Sequence, residues 1–309
     1  MLLRPGTAVL WNGADSLRIG GDPASGVVLD ALTPEEQAWV HACARIASHR
    51  LDHPLSRRPC PPPPPGAGRI EAALEAAGLV DRPEPRTAAR LHLDGLCAAC
   101  LSSIGVIAES VDVAVTISSP GVVERDLARV VGEDRLGQDR AFSAREHLAR
   151  LVPSARSSFS GSPGLVLVSA ERRADPEATL RWVREEIPHL VVTRLESGYE
   201  IGPLVMPGAT TCHQCVEARR IGDDPARLIH LRDLPTWPLP PTPARASCAA
   251  SLVIADLVEA AIRGRATPEE CQQLVRVDSR GVLSRTAVPP EPGCACGAAG
   301  CPPGLERAA

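Results

Sequence analysis

Apolar runs of strand length alternate with segments of helical periodicity along most of the chain. The strand-like runs are ARLHL at 89–93, VDVAVTI at 111–117, GLVLVSA at 164–170 and HLVVTRL at 189–195. The longest segment with apolar residues at helical spacing covers 246–264. Strands separated by helices are typical of a parallel, doubly wound sheet. The pattern therefore predicts an α/β fold with a Rossmann-like sheet.

A different pattern fills residues 1–85. Three short β-type runs, separated by Asn-Gly and Gly-Asp-Pro turn signals, precede two helical segments. Thr33 is placed to begin a capping box for the first helix, and the second helix is RIEAALEAAG at 69–78. The Pro-rich insert PCPPPPPGAG at 59–68 is incompatible with a helix or an inner strand. We predict two domains, a small winged-helix-like α+β module followed by an α/β domain at 86–309.

Composition narrows the class of protein. The chain has 309 residues, of which 44% are hydrophobic, and a net charge of −4, without the basic block that marks a nucleic-acid surface. No apolar run approaches the length that crosses a membrane, and the first residues lack the pattern of a secretory signal. An odd count of eleven cysteines favours reduced thiols and a metal site over a disulfide scaffold. We expect a cytoplasmic protein that binds neither nucleic acid nor membrane.

Cysteine spacing indicates metal chemistry. Cys212 and Cys215 form a C-x-x-C pair after an apolar run, and the tail EPGCACGAAGC supplies three more cysteines. Two sequence-distant thiolate pairs on turns are typical of structural Cys₄ zinc sites. The predicted ligands are Cys212, Cys215, Cys294 and Cys296, with Cys301 as the reserve ligand. A disulfide or free thiols are the alternative. Because four thiolates leave no open coordination position, we expect a zinc knuckle that is structural and not catalytic.

A second C-x-x-C pair, Cys97 and Cys100, follows the strand-like run at 89–93. A redox pair is one interpretation. We favour the other, in which both are small buried residues one helical turn apart. Cys248, at the start of the longest helix, leaves the same choice between a nucleophile and a core residue.

One stretch of the chain resembles a known family. GPLVMPGATTCHQC at 202–215, followed by EARRIGDDP and the late cysteine pair, is similar to the ThiF/MoeB/HesA superfamily. Its members resemble ubiquitin-activating enzymes, which adenylate a carboxyl terminus with MgATP. Segments 118–153 and 187–192 resemble in particular the actinobacterial branch of cyclodehydratase or precursor leader-peptide-binding proteins. These proteins are partners of YcaO enzymes in making azoline-containing peptides. The resemblance also implies a homodimer.

The positions at which that family holds a nucleotide differ here. The Gly-rich phosphate loop reads LHLDGLCAAC, in which Gly95 remains, and Ser118 and Ser119 replace the ribose-binding acid. A phosphate cradle needs backbone N–H groups that approach closely. Arg129 and Arg140 fall where the family carries basic residues. We therefore treat Gly95, Ser118, Arg129 and Arg140 as vestigial nucleotide-binding positions, and expect a protein that is not an active enzyme and does not bind ATP.

The resemblance suggests a function in peptide recognition. The module at 1–85 is similar to a PqqD-like element, in which an extended peptide adds beside the third strand and packs against the last helix. The predicted contacts, which a small core would also need, are Val27, Val28, Leu29, Ile70 and Leu74. The main hypothesis is a non-catalytic protein that binds a precursor leader peptide and presents it to a YcaO-type cyclodehydratase.

Three alternatives remain open at the level of sequence. The first is an ATP-dependent adenylyltransferase that activates a carrier-protein or peptide C-terminus. The second is a structural partner without peptide recognition. The third is a winged-helix DNA-binding protein, which the single Arg and two Glu of the 69–78 segment disfavour.

Overall fold

The fold is described from a computed structural model, which describes residues 3–52, 59–81, 86–234 and 237–299. The chain divides into two compact units, Met1–Pro85 and Arg86–Ala309. Each unit has its own cluster of buried apolar side chains.

The first unit consists of a three-stranded antiparallel sheet and two helices. The strands are β1 (Val9–Trp11), β2 (Leu17–Ile19) and β3 (Val27–Leu29), in the order β1-β2-β3. The helices are α1 (Pro34–Asp52) and α2 (Ala67–Ala76). The predicted capping box is present, because the backbone N–H of Glu36 donates to Thr33 Oγ1 and that of Thr33 donates to the Glu36 carboxylate. The winged-helix assignment of this unit stays a prediction.

The Pro-rich insert packs against α1, and its last two residues, which the sequence pattern predicts to be non-helical, form the start of α2. Residues 59–64 form neither helix nor strand, as their prolines require. The indole N–H of Trp39 donates to the Pro61 carbonyl oxygen at 3.1 Å. The insert therefore contributes to the first unit as a packed segment.

A seven-stranded mixed sheet forms the centre of the second unit. Its strands are β4 (Thr87–Asp94), β5 (Val111–Ser118), β6 (Leu165–Glu171), β7 (His189–Leu195), β8 (Gly198–Val205), β9 (Gln273–Asp278) and β10 (Leu283–Ala287). Their order is β10-β9-β8-β7-β6-β4-β5. Strands β4 to β7 are parallel, and β8 to β10 are antiparallel.

The antiparallel half corrects the expectation of a parallel sheet throughout. Only two residues separate β7 from β8, so the chain must reverse direction. The Gly202–Pro203 pair, which has the composition of a turn, lies inside β8. A Cβ at Gly202 would come within 2.2 Å of the Gln273 carbonyl oxygen, so glycine is needed for β9 to approach.

Helices cover both faces of this sheet. They are α3 (Ala98–Ser110), α4 (Arg125–Val131), α5 (Arg140–Leu151), α6 (Pro176–Arg184), α7 (His213–Asp223), α8 (Arg227–Asp233), α9 (Ala244–Ile262) and α10 (Pro268–Cys271). Leu165 and Leu167 of β6 belong to the core beneath α3 and α9, whereas Val166 and Val168 pack against Trp182 of α6. Alternate residues of one strand thus face opposite layers, as in a doubly wound fold. Within the described part of the chain, every helix is too short or too polar to cross a membrane.

Candidate metal centre and the crevice at the strand ends

The structure brings together four of the predicted zinc ligands. Cys212 occupies the N-cap position of α7 and Cys215 lies in its first turn, while Cys294 and Cys296 lie on a turn after β10. The Sγ atoms of Cys212 are 3.8 Å from Cys215 and 3.7 Å from Cys294, and Cys215 is 3.6 Å from Cys296. All four sulfurs lie within 4.8 Å of one another. Cys301 lies outside the described residues.

These distances fit a tetrahedral metal site. A zinc ion bound at about 2.3 Å to each sulfur places neighbouring sulfurs about 3.8 Å apart. A disulfide would require about 2.05 Å, and each of the ten cysteines in the described ranges is a free thiol. The cluster could therefore hold a metal ion, and its donor set suits zinc.

The thiols also interact electrostatically. Contact with the Cys212 thiol lowers the pKa of Cys215, and the same contact raises the pKa of Cys212. Four neighbouring thiolates repel one another unless a cation offsets their charge. A divalent metal ion would supply that positive charge and would join the 294–296 turn to α7.

A second candidate site lies where the parallel strands end. In doubly wound sheets, ligands bind at the carboxyl ends of strands, at the point where the strand order reverses. Here that point is the end of β4, between β5 and β6. Gly95 follows β4 with φ +79°, and its N–H donates to the Ser118 carbonyl oxygen at 2.8 Å. An added Cβ at Gly95 would lie 2.2 Å from the Ser169 carbonyl oxygen. Close packing of three strand ends therefore accounts for this glycine.

Ion pairs fill the crevice beside Gly95. Arg194, near the end of β7, is buried and contacts Glu171 at 2.6 Å and Asp126 at 3.7 Å. Asp126 is also buried and accepts the backbone N–H of Thr242 at 3.0 Å. The remaining cavity measures about 20 Å³, which holds about one water molecule. Its lining comprises Leu96, Cys97, Ala98, Glu124, Asp126, Leu127, Arg140, Glu171 and Arg194.

A Pro-rich segment without helix or strand lies over the same strand ends. We call residues 237–242, with the sequence WPLPPT, the strap. Arg172 donates to the carbonyl oxygens of Trp237 and Pro238 at 3.1 and 2.9 Å. Arg194 donates to the Pro240 carbonyl oxygen at 3.1 Å, and Arg129 to that of Thr242 at 2.7 Å. Guanidinium groups near three element ends therefore hold the strap in place.

The four vestigial nucleotide-binding positions do not form one common site. Gly95 and Ser118 lie at the strand ends, and Arg140 lines the cavity while donating to Val122 and Glu124. Arg129 donates a hydrogen bond to the strap.

The sequence analysis did not predict the roles of Arg194 and the strap. The available signals were a charged residue at the end of an apolar strand and the prolines at 238–243.

No protein-family model and no curated protein sequence matches this chain. Solved structures do match. E. coli MccB with selenomethionine MccA aligns with a TM-score of 0.62 and 13% identity, over 96% of this chain and 99% of that one. E. coli MccB with ATP aligns at 0.59 and 14%, over 96% and 99%, and PaaA at 0.56 and 10%, over 92% and 99%. The chain has the MccB fold. The resemblance to the ThiF/MoeB/HesA superfamily is thereby confirmed as a likeness of fold.

The predicted peptide contacts in the first unit differ in exposure. Leu29, Ile70 and Leu74 are buried in its core, and Val27 is half-buried. Val28, on the edge strand β3, has 39% of its surface exposed. Of the five positions, Val28 is the most exposed, and a peptide contact there stays a prediction.

Proposed function

We propose that this protein is a non-catalytic relative of MccB-like enzymes that binds a precursor peptide and presents it to a YcaO-type cyclodehydratase. The observation that carries the non-catalytic part is the crevice at the strand ends. Arg194, its carboxylate partners and the strap leave about 20 Å³ there, whereas small-molecule sites typically measure about 300–1,000 Å³.

Charge in the crevice also supports the absence of nucleotide binding. Glu124, Asp126 and Glu171 line the cavity against Arg140 and Arg194. Both arginines already contact carboxylates. A triphosphate would therefore meet carboxylates without free guanidinium groups to offset their charge.

The first unit supports the peptide-binding part. β3 forms one edge of its sheet, and an edge strand can pair with an extended peptide through main-chain hydrogen bonds. Val28 is exposed on that strand. The fold match to MccB solved with MccA extends over 96% of this chain, so it includes this unit.

Titration calorimetry with MgATP tests the non-catalytic part. We expect no heat of binding up to millimolar nucleotide with zinc-loaded, full-length protein. Micromolar binding would contradict the proposal and would favour the adenylyltransferase, for which ATP–pyrophosphate exchange with candidate carboxylate substrates is the next assay.

Fluorescence anisotropy tests the peptide part, with labelled synthetic peptides from short reading frames adjacent to the gene. We expect Val28→Asp to weaken binding at least tenfold, because it places a charge on the edge that receives the peptide. Leu10→Asp is the matched control, since Leu10 is 47% exposed on β1 at the opposite edge of the sheet. Equal losses in both variants, or no binding by the unaltered protein, would count against the proposal.

A further inference from the structure

Two thiols that the proposed function does not use lie at the start of α3. Cys97 immediately precedes the helix and Cys100 lies in its first turn. They are three residues apart, and their side chains interact electrostatically with each other and with the Ser169 hydroxyl of β6. Both cysteines are buried and free. The pair is therefore placed for a disulfide without the recruitment of a distant residue.

Cys97 also lines the small cavity at the strand ends. Oδ2 of Asp126, in the same lining, is buried and lacks a hydrogen-bond partner. A small molecule that donates an O–H would satisfy it. At the rim, the side chains of Glu124 and Glu171 are 56% and 54% exposed, so solvent reaches the cavity from that side. Its volume of about 20 Å³ admits a molecule the size of water or hydrogen peroxide and excludes a larger disulfide.

The two thiols differ in acidity. Contact with the Cys100 thiol, together with Ser169, lowers the pKa of Cys97 to about 7 despite its burial. The same contact and burial raise the pKa of Cys100 well above the usual thiol value. A thiolate beside a protonated thiol is the arrangement in which one sulfur attacks and the other resolves.

We propose that Cys97 and Cys100 form a dithiol site that hydrogen peroxide oxidises to a disulfide. The Cys97 thiolate attacks one peroxide oxygen and the O–O bond breaks, which yields a sulfenic acid and a hydroxide that leaves as water after protonation. Cys100 then attacks the Cys97 sulfur, the S–O bond breaks, and the oxygen leaves as a second water with the Cys100 proton. Two thiols are oxidised by two electrons, and one peroxide is reduced to two waters.

Peptide mapping of the zinc-loaded, full-length protein tests this site. After peroxide treatment and alkylation, trypsin releases residues 91–125, in which Cys97 and Cys100 are the only cysteines. We expect this peptide to become two hydrogen atoms lighter and resistant to alkylation. Residues 246–263 form the internal control, because they carry only the exposed Cys248. We expect Cys248 to remain alkylatable at the peroxide dose that oxidises half of the 91–125 peptide.

Two variants assign the roles of the thiols. In Cys100→Ser, oxidation should stop at a sulfenic acid on Cys97, which dimedone traps. In Cys97→Ser, oxidation of the 91–125 peptide should slow at least tenfold, and Cys97→Ala should repeat this result if serine disturbs the packing. The proposal is overturned if Cys248 oxidises while 91–125 stays fully alkylated, or if the Cys97 variants oxidise as fast as the unaltered protein.

Discussion

At the scale of single residues, Arg194 makes the main contacts that fill the crevice at the strand ends. Burial lowers the pKa of its guanidinium, but Glu171 and Asp126 more than offset this effect, and the pKa is raised. The side chain is therefore charged at all ordinary pH values and lies between two carboxylates and the strap. These partners are far apart in sequence, so their meeting depends on the fold.

Removing this charge should destabilise the protein. Arg194→Leu leaves Asp126 buried without its ionic partner, for which we expect a loss of about 3–5 kcal/mol in the free energy of unfolding. Urea denaturation measures the loss. Arg184→Leu is the control, because its ion pair with Glu177 is exposed, and it should change stability by less than about 0.5 kcal/mol. Adding Asp126→Asn to Arg194→Leu should recover part of the loss. Equal urea midpoints for Arg194→Leu and the control Arg184→Leu would contradict a stabilising role for the Arg194 charge.

His189 gives a pH dependence of stability. The residue is fully buried at the start of β7, and burial lowers its pKa to about 4. The unfolded chain takes up the proton near pH 6.5, whereas the folded protein does not until about pH 4. The contribution of neutral His189 to the free energy of unfolding is therefore fully present above pH 6.5 and is lost as the pH falls towards 4. At about pH 5 the loss is on the order of 2 kcal/mol.

Urea denaturation of the unaltered protein and His189→Asn, at about pH 7.5 and about pH 5, checks this prediction. Asparagine can replace the contact of the His189 ring with the Ile187 carbonyl oxygen and does not titrate. The variant should lose less stability on acidification than the unaltered protein. If both proteins lost the same stability on acidification, another group would be responsible. Loss of bound zinc at low pH would lower the stability of both proteins equally and therefore does not affect the comparison.

At the scale of elements, the turn between β4 and α3 shows how one glycine serves a structural purpose. The periodicity predicts both the strand and the helix, and both form. In the family that the sequence resembles, this turn holds phosphates. Here it brings β4 against the ends of β5 and β6, with the Gly95 N–H bound to Ser118. Glycine is required because its φ is positive and because Ser169 is so near.

Gly95→Ala should therefore cost more than about 2 kcal/mol in the free energy of unfolding. Gly222→Ala is the matched control, since it lies in the last turn of α7 with no atom within 4 Å of an added Cβ. This control should gain about 0.5–1 kcal/mol. Thermal or urea denaturation separates the two results, and a neutral Gly95→Ala would mean that the strand ends can move apart.

At the scale of the whole molecule, each of the two units has its own core, and the described residues of the second unit include a four-cysteine cluster. The cluster belongs to the second unit and joins α7 to the turn after β10. The proposed peptide-binding role belongs to the first unit. A homodimer, expected from the resemblance, stays a prediction.

Loss of the metal should therefore act on one unit. We expect Cys212→Ser to abolish stoichiometric zinc in elemental analysis, and a loss of about 4 kcal/mol would lower Tm by roughly 8–16 °C. Hydrogen exchange should rise in 211–223 and 288–299 and stay unchanged in 3–52. Cys248→Ser is the control, because Cys248 is exposed and outside the cluster. An unchanged melt for Cys212→Ser would contradict a structural metal.

The sequence by itself determined strands β1 to β7, helices α1, α2 and α9, the α/β class and the cysteines that could bind metal. Periodicity and capping depend on residues a few positions apart, and the metal prediction needed only ligand type and spacing. The prediction that the nucleotide site is not functional came from the missing glycines of the phosphate loop. Their absence can be read from a short stretch of sequence without the structure.

Only the tertiary structure decided what fills that site, because the filling depends on contacts between distant segments. Asp126, Glu171, Arg194 and the strap come from four parts of the chain. The placement of Gly202 inside β8 and the burial of Ile70 and Leu74 likewise depend on neighbours that pack from elsewhere. Cys97 illustrates both levels: the C-x-x-C spacing is local, whereas the cavity beside it forms only when the strand ends, α4 and α5 come together.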